Sequence, residues 1–233
     1  MNKELFQKTI KQVKETSPKR KFTQTIDLII NLKILNLKNP NENLDLFVTL
    51  PNPLKRKHKI CAIVDKELAS ASKFFDKTIQ QEELAGLRKN PKEIKKLSRQ
   101  YDWFIAQANL MAEVATVFGK ILGPRGKMPN PKAGCVITPT SNLEQVKEKL
   151  DKTVQVKTKK ELIVKIPVGK EDQDDSKILE NIIHTYNNII HSLPQEEANV
   201  RSVYLKLTMG PSLKVGSKKE EIKEDAKEQP KNK

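Results

Sequence analysis

The apolar residues of this chain are spaced in two different ways, and the change of spacing divides the chain. Across residues 22–34, and again across 44–50, apolar and polar residues alternate. Alternation is typical of a strand with one buried face. Residues 60–64 and 103–106 are instead continuously apolar, as strands covered on both faces are. Because alternation returns after residue 152, the sequence predicts an α/β domain inserted into an α+β domain formed by both chain ends.

Helix spacing and the positions of proline and glycine predict the individual elements. Helices are expected at 3–15, 66–75, 80–99 in two pieces, 109–118, 141–150 and 175–193. The strands at 22–34 and 44–50 are expected to pair with each other, and residues 167–170 to turn out of the strand at 162–166. The predicted boundaries are 1–57 with 153–216 for the outer α+β domain, 58–152 for the inserted α/β domain, and 217–233 for a disordered charged tail.

The charge of the chain predicts a polyanionic partner. It carries 44 lysines and arginines against 29 acids, a formal net charge of +15. Most of this excess of positive charge lies in residues 1–152. Either a nucleic acid or an anionic membrane surface fits this charge, and a merely soluble basic protein is a third reading. No apolar run approaches the ~20 residues that span a bilayer, and no signal peptide opens the chain. A cytoplasmic protein that does not associate with membranes is expected, with Cys61 and Cys135 as free thiols.

Residues 123–134 form the most unusual stretch, with three glycines, three prolines, three cations and no acid. This composition predicts a stiff basic loop without helix or strand, and such loops usually bind something. A phosphate-binding loop would need glycine five residues before Gly126-Lys127 and serine or threonine after it, but Ile121 and Met128 stand there. No dinucleotide fingerprint, metal-ligand spacing or nucleophile–base pair accompanies the loop. No cofactor is therefore expected, and an α/β enzyme that binds a ligand through this loop is the weaker alternative.

The outer domain holds the better candidates for nucleic-acid contact. Lys19-Arg20-Lys21 leads into Phe22, an aromatic side chain that can stack on a base or sugar. Thr208-Met209-Gly210 ends the last strand, where threonine can bond a 2′-hydroxyl and glycine permits close approach. Gly169-Lys170 adds a backbone donor and a phosphate contact. By composition alone, a core role for Phe22 and a simple turn at 208–210 are equally good explanations.

Four stretches in the same order resemble the ribosomal protein L1 family, in its archaeal form. They are the loop at 123–134, Lys21-Phe-Thr-Gln-Thr25, Pro167-Val-Gly-Lys170, and Arg201-Ser-Val-Tyr204 followed by Thr208-Met-Gly-Pro211. The resemblance implies a Rossmann-like, three-layer inserted domain and a non-enzymatic protein of the large ribosomal subunit, monomeric off the ribosome. It also implies binding to the mobile side stalk of large-subunit rRNA and help in releasing exit-site tRNA.

Carried onto this sequence, the family's RNA contacts fall on Lys21, Phe22, Thr25, Gly169, Lys170, Ser202, Thr208, Met209 and Gly210. Arg125 and Lys127 of the basic loop are expected to make secondary RNA contacts. Family members also repress translation by binding their own mRNA. A dedicated mRNA repressor that works off the ribosome therefore stays an alternative to a ribosomal protein.

Overall fold

The computed structural model describes residues 3–36, 39, 42–55, 58–65, 68, 74–139, 141–158 and 161–216. The chain divides into two compact units, one comprising Met1–Lys55 with Val154–Lys233 and the other Arg56–Thr153. The predicted helix at 66–75 lies outside the described residues except at Leu68, Phe74 and Phe75. The predicted disordered tail lies wholly outside them.

In chain order the elements are α1 (Lys3–Thr16), β1 (Thr25–Leu32), β2 (Asp45–Thr49), β3 (Ile60–Val64), β4 (Lys77–Gln80), α2 (Gln81–Lys89), α3 (Pro91–Gln100), β5 (Trp103–Gln107), α4 (Met111–Leu122), β6 (Val136–Ile137), α5 (Leu143–Lys152), β7 (Thr153–Lys157), β8 (Ile163–Lys170), α6 (Asp175–His191), β9 (Val200–Leu207) and β10 (Ser212–Lys214).

The first unit is built on an antiparallel sheet of order β10-β9-β1-β8. Alternate residues of β1 are buried, as the spacing predicted, and its buried face packs against α1 and α6 in one hydrophobic core. Helix α1 contributes Phe6, Ile10 and Val13 to that core. The other face of the sheet carries the partly exposed residues of each strand, and we refer to it as the open face. This sheet determines where the candidate RNA residues lie.

The expected pairing of the two N-terminal strands is wrong. Strand β2 pairs with β7 in a separate two-stranded sheet, while β8 and β9 occupy both edges of β1. Alternation specifies which face of a strand is buried but not which strand lies beside it. Two strands of eight residues each match the length of β1, and the five-residue β2 does not.

Two predicted strand ends are also corrected. The first strand begins at Thr25 and ends at Leu32, so Phe22 and Ile34 lie outside it. Residues 167–170 do not turn out of β8 but form its last part, where the register with β1 shifts between Ile26 and Asp27. A bulge of this kind accommodates Pro167, which has no N–H to donate to the ladder.

The second unit contains a parallel sheet of order β4-β3-β5-β6, which confirms the predicted parallel layer. Every residue of β3 is buried, as its continuous apolar run predicted. One face of this sheet packs against α2, α3 and α4 through a core that includes Phe104 and Phe118. Strand β4 was not predicted, because Lys77–Gln80 is short and lies between segments with helical spacing.

Candidate nucleic-acid interface

Three chain segments meet at one end of the first unit's sheet. Thr25 at the start of β1 lies opposite Lys170 at the end of β8. Thr208 follows β9 directly, and its N–H donates to the carbonyl of Thr25 at 3.1 Å. The N–H of Thr25 donates in turn to the hydroxyl of Thr208 at 3.1 Å. The threonine side chain therefore replaces a backbone carbonyl and extends the β1–β9 ladder by one step. We call this end of the sheet, with residues 19–25, 169–172 and 208–210, the strand-end junction.

Gln24 holds the strand-end junction together, although from the sequence it was identified only as part of the motif at residues 21–25. Its side chain is 0% exposed. The amide nitrogen donates to the carbonyl of Pro18 at 3.0 Å, and the amide oxygen accepts from the N–H of Met209 at 3.1 Å. Its backbone carbonyl accepts from Glu171 at 2.9 Å. A glutamine at a buried position of an alternating strand is the signal that would have identified this role.

Two large apolar side chains are exposed at this junction. Phe22 is 52% exposed and Met209 is 54% exposed, which places them among the most exposed large hydrophobic residues in the described part of the chain. The alternative that Phe22 is a core residue is therefore wrong. Apolar groups that are held in water by an ordered backbone are typical of a binding surface.

Cations surround Phe22. Lys19, Arg20 and Lys21 line an open depression together with Phe22 and Thr23, and Glu171 and Asp172 line it too. Asp172 accepts a hydrogen bond from Lys55 at 3.1 Å, and this contact lowers the pKa of the carboxyl below its usual value. Three cations against two acids leave the depression net positive, and Lys55 compensates one of those acids as well. It is chemically suited to a phosphate group beside a stacked base.

Gly169 and Gly210 contribute space for packing inside the first unit. Both are buried. A Cβ on Gly169 would lie 2.8 Å from the side chain of Ile178, and a Cβ on Gly210 would lie 3.0 Å from the Cβ of Ser17 and closer still to its hydroxyl. The glycines thus let the chain beside Lys170 and Met209 approach the helices. Their neighbours, and not the glycines themselves, face outward.

Ser202 lies away from the other predicted contacts. It pairs with Asn31 on β1 and accepts a hydrogen bond from the Asn31 amide at 3.1 Å. Thr25 lies six positions before Asn31 on β1, which corresponds to about 20 Å along the strand. Ser202 nonetheless lies on the open face, so a ligand that covers this face would touch both ends.

The open face adds groups that sequence reasoning missed. Lys206 lies opposite Asp27 in the register of β1 and β9, and Tyr204 lies opposite Ile29. Partial burial raises the pKa of Asp27, and the nearby charges of Lys206 and Lys165 work in the other direction. One carboxyl thus lies among cations and an aromatic ring. The sequence signal for these groups was the alternation of exposed residues along β8 and β9. Only the strand register shows that the exposed residues of both strands lie on the same face of the sheet.

The basic loop of the second unit is clamped to α3. The guanidinium of Arg125 donates to the hydroxyl of Ser98. The ammonium of Lys127 donates to the carbonyls of Ser98 and Tyr101 at 3.0 and 2.7 Å. The expectation of no helix in this loop is wrong at Pro131–Ala133, which forms a 3-10 turn that ends at Gly134 with φ 77°. Lys127 therefore anchors the loop, while Arg125 remains exposed.

The two cysteines are free thiols, as predicted, and both are buried. Burial raises the pKa of Cys61 to about 12 and that of Cys135 to about 11. Neither thiol can therefore act as a nucleophile near neutral pH. In the described part of the chain, no helix has the length and apolar character needed to cross a membrane.

Comparison with known proteins assigns the family. The profile of the ribosomal protein L1p/L10e family matches residues 13–211. A large ribosomal subunit protein uL1 from Thermococcus kodakarensis is 42% identical over 208 residues, which cover 88% of this chain and 94% of the relative. Proteins of the same name from Nanoarchaeum equitans and Methanothermobacter thermautotrophicus are 44% and 41% identical, covering 89% and 92% of this chain and 99% and 100% of the relatives.

This architecture, with exposed apolar and basic side chains at its strand-end junction, is of a kind typical of RNA-binding proteins. The chain belongs to the ribosomal protein L1p/L10e family. The resemblance that its four motifs predicted, to the archaeal form of this family, is confirmed. Membership in this family of ribosomal structural proteins also confirms that the chain is not an enzyme.

Proposed function

We propose that this protein is a structural constituent of the large ribosomal subunit and holds the mobile side stalk of large-subunit rRNA through the strand-end junction. The observation that carries the proposal is the meeting of Phe22, Met209 and nearby cations at one end of a rigid sheet. Family membership and relatives named as large-subunit proteins support the ribosomal role.

Each residue of the proposed site has a role that follows from its position. Lys21 and Lys170 attract phosphates, and Phe22 and Met209 cover a base or sugar with apolar surface. Thr208 and Thr25 fix the strand-end geometry and present their outward atoms to a 2′-hydroxyl. Gly169 and Gly210 allow the chain to reach this position, and Ser202 contacts the RNA at the far end of the open face. Arg125 and Lys127 are secondary contacts, of which Lys127 acts mainly by holding the loop.

We propose the remaining family-derived properties on the same basis. The protein acts on cytoplasmic ribosomes, assists release of exit-site tRNA, and represses translation of its own mRNA by binding a site that resembles the stalk. Off the ribosome it is a monomer. The second unit is an inserted, three-layer Rossmann-like domain.

Replacing Met209 tests the specific site. Met209→Ala removes exposed apolar surface without disturbing the core, so we expect about tenfold weaker binding to a stalk rRNA fragment and unchanged stability. Leu5→Ala is the matched control, because Leu5 is also an exposed apolar residue but lies on α1, and Lys227→Ala in the tail controls for diffuse charge. Binding is measured by fluorescence anisotropy with the full chain. Equal losses for all three variants would contradict a specific site and leave only general attraction to RNA.

Co-sedimentation separates the ribosomal role from a dedicated mRNA repressor. The full chain should sediment with purified large subunits, and the Met209→Ala variant should be displaced at lower salt. A chain that binds its own mRNA but never sediments with large subunits would favour the repressor.

A further inference from the structure

Helix α3 carries a row of cations on one side. The row consists of Lys92, Lys95, Lys96 and Arg99. With 3.6 residues per turn, these positions fall within an arc of about 100°. All four side chains are exposed, and the buried residues of the helix lie on the opposite side. We call these four residues the α3 row.

This arrangement opposes the stability of the isolated helix. Like charges three and four residues apart repel one another, and every member of the row has such neighbours. Lys92 also lies in the first turn, where the helix dipole disfavours a cation. Within the described part of the chain, no salt bridge joins the row to an acid.

Composition alone does not explain the row. Helix α5 of the same unit is also rich in lysine, but it interleaves Lys147, Lys149 and Lys152 with glutamates and an aspartate. On α5, a lysine-rich face in contact with water therefore carries acids between its lysines. The one acid of α3, Glu93, lies outside the arc of the row, so the row itself is unmixed and indicates a surface that meets negative charge from outside the chain.

The basic loop extends the row at the C-terminal half of α3. Ser98 accepts from Arg125 and donates to the carbonyl of Lys95 at 2.9 Å. Lys127 holds the loop on the last turn of the same helix. Ser98 lies on the buried side of α3 but only about 60° around the helix from Lys95, so Arg125 reaches α3 next to the Lys95 edge of the row. No other hydrogen bond of the Arg125 side chain is seen among the described residues.

We propose that the α3 row, extended by Arg125, is a second RNA-binding surface that grips the phosphate backbone of a structured RNA. This inference rests on the proposed function, because it assumes a protein whose first unit already binds RNA. The row spans about 10 Å of rigid helix, which suits successive phosphates. It has ammonium and guanidinium groups and no exposed aromatic ring, so it contacts phosphates and does not read bases. A membrane surface fits less well, because the apolar side of α3 is buried in the core and cannot insert.

The test neutralises the row in the full chain. Lys92, Lys95, Lys96 and Arg99 are all replaced by Gln, which keeps helix propensity. The control replaces four exposed but scattered lysines of the same unit by Gln, namely Lys59, Lys77, Lys132 and Lys149. Both variants lose the same charge. Binding is measured across a range of KCl concentrations to a stalk rRNA fragment and, separately, to a deacylated tRNA.

The row variant should bind at least one of the two RNAs about tenfold more weakly than the control does, and its salt slope should fall by about 3, as expected for four lost phosphate contacts. Loss with the stalk fragment identifies that RNA as the partner, and loss only with tRNA identifies a second RNA. If the row variant and the control behave alike with both RNAs, the inference is wrong while the proposed function stands. If the unmodified protein fails to bind the stalk fragment, the proposed function fails instead. Row-dependent binding to anionic vesicles, with unchanged RNA affinity, would also overturn the inference.

Discussion

Replacing Gly210 by Ala separates a packing role of this glycine from a role in RNA approach. The added methyl group would lie 3.0 Å from the Cβ of Ser17 and 3.3 Å from that of Leu207, and closer still to the Ser17 hydroxyl. Overpacking of this kind costs about 1–3 kcal/mol. Gly210 is not among the glycines with positive φ, so alanine also restricts the unfolded chain and returns about 0.4–1 kcal/mol. We therefore expect Gly210→Ala to lower the free energy of unfolding by about 1–2 kcal/mol.

A second substitution in the opposing residue shows whether the clash is the cause. Ser17→Gly removes the two nearest atoms that the new methyl group would meet, so the double variant should regain most of the steric cost. The coupling energy between the two sites should then be about 1–3 kcal/mol. Ser17→Ala is the matched control, because it removes only a buried hydroxyl that has no hydrogen-bond partner among the described residues.

Urea unfolding followed by far-UV circular dichroism measures these changes. Trp103 is the chain's single tryptophan and lies in the second unit, so its fluorescence transition provides an internal control that should not move. At a temperature where the variant is folded, its affinity for stalk RNA should change by less than about threefold. Unchanged stability together with a large loss of RNA affinity would refute the packing argument, since it would mean that RNA approaches the Gly210 backbone directly.

Three further changes test other parts of the first unit and the thiols. Gln24→Leu leaves the Pro18 carbonyl and the Met209 N–H without partners, so it should lower the free energy of unfolding by about 2–4 kcal/mol in urea and also weaken RNA binding; wild-type stability would contradict the bridging role. The pKa of Asp27 is raised in the fold, so the native state binds the proton more tightly than the unfolded state does. The contribution of Asp27 to stability should be greatest below its unfolded pKa near 4 and should be lost as pH rises through the folded pKa. Asp27→Asn should abolish that decline and strengthen RNA binding, and an unchanged pH profile would refute this assignment. Cys61 and Cys135 should resist a thiol reagent at pH 8 until urea unfolds the chain, because burial raises the pKa of Cys61 to about 12 and that of Cys135 to about 11; rapid reaction of the native protein would contradict their burial.

Several features of the fold could be predicted because they depend on local spacing. The alternation in β1 reports its one buried face, and the unbroken apolar run of β3 reports burial on both faces. Asn90-Pro91 separates α2 from α3, since proline is tolerated at a first helical position but not within a helix. Each of these signals involves residues that are close together in the chain.

Part of the candidate site could be predicted in the same way and part could not. Lys21, Phe22 and Met209 were identified by motif, and the structure shows two of them as exposed apolar groups at one junction. Gln24 was missed because its three partners come from residues 18, 171 and 209, which are distant in sequence. The α3 row was missed because helical spacing was read only for its apolar residues.

The sequence by itself determined the family, the parallel layer of the second unit and the buried faces of strands such as β1 and β3, because motif order and hydrophobic spacing are local properties. Tertiary structure alone decided that β8 and β9, and not β2, lie beside β1, since several strands share the same alternation. It also decided that Gly210 faces Ser17 and that Lys127 holds its loop to α3. Those contacts join residues far apart in the chain, and only the packed fold brings such residues within a few ångströms of each other.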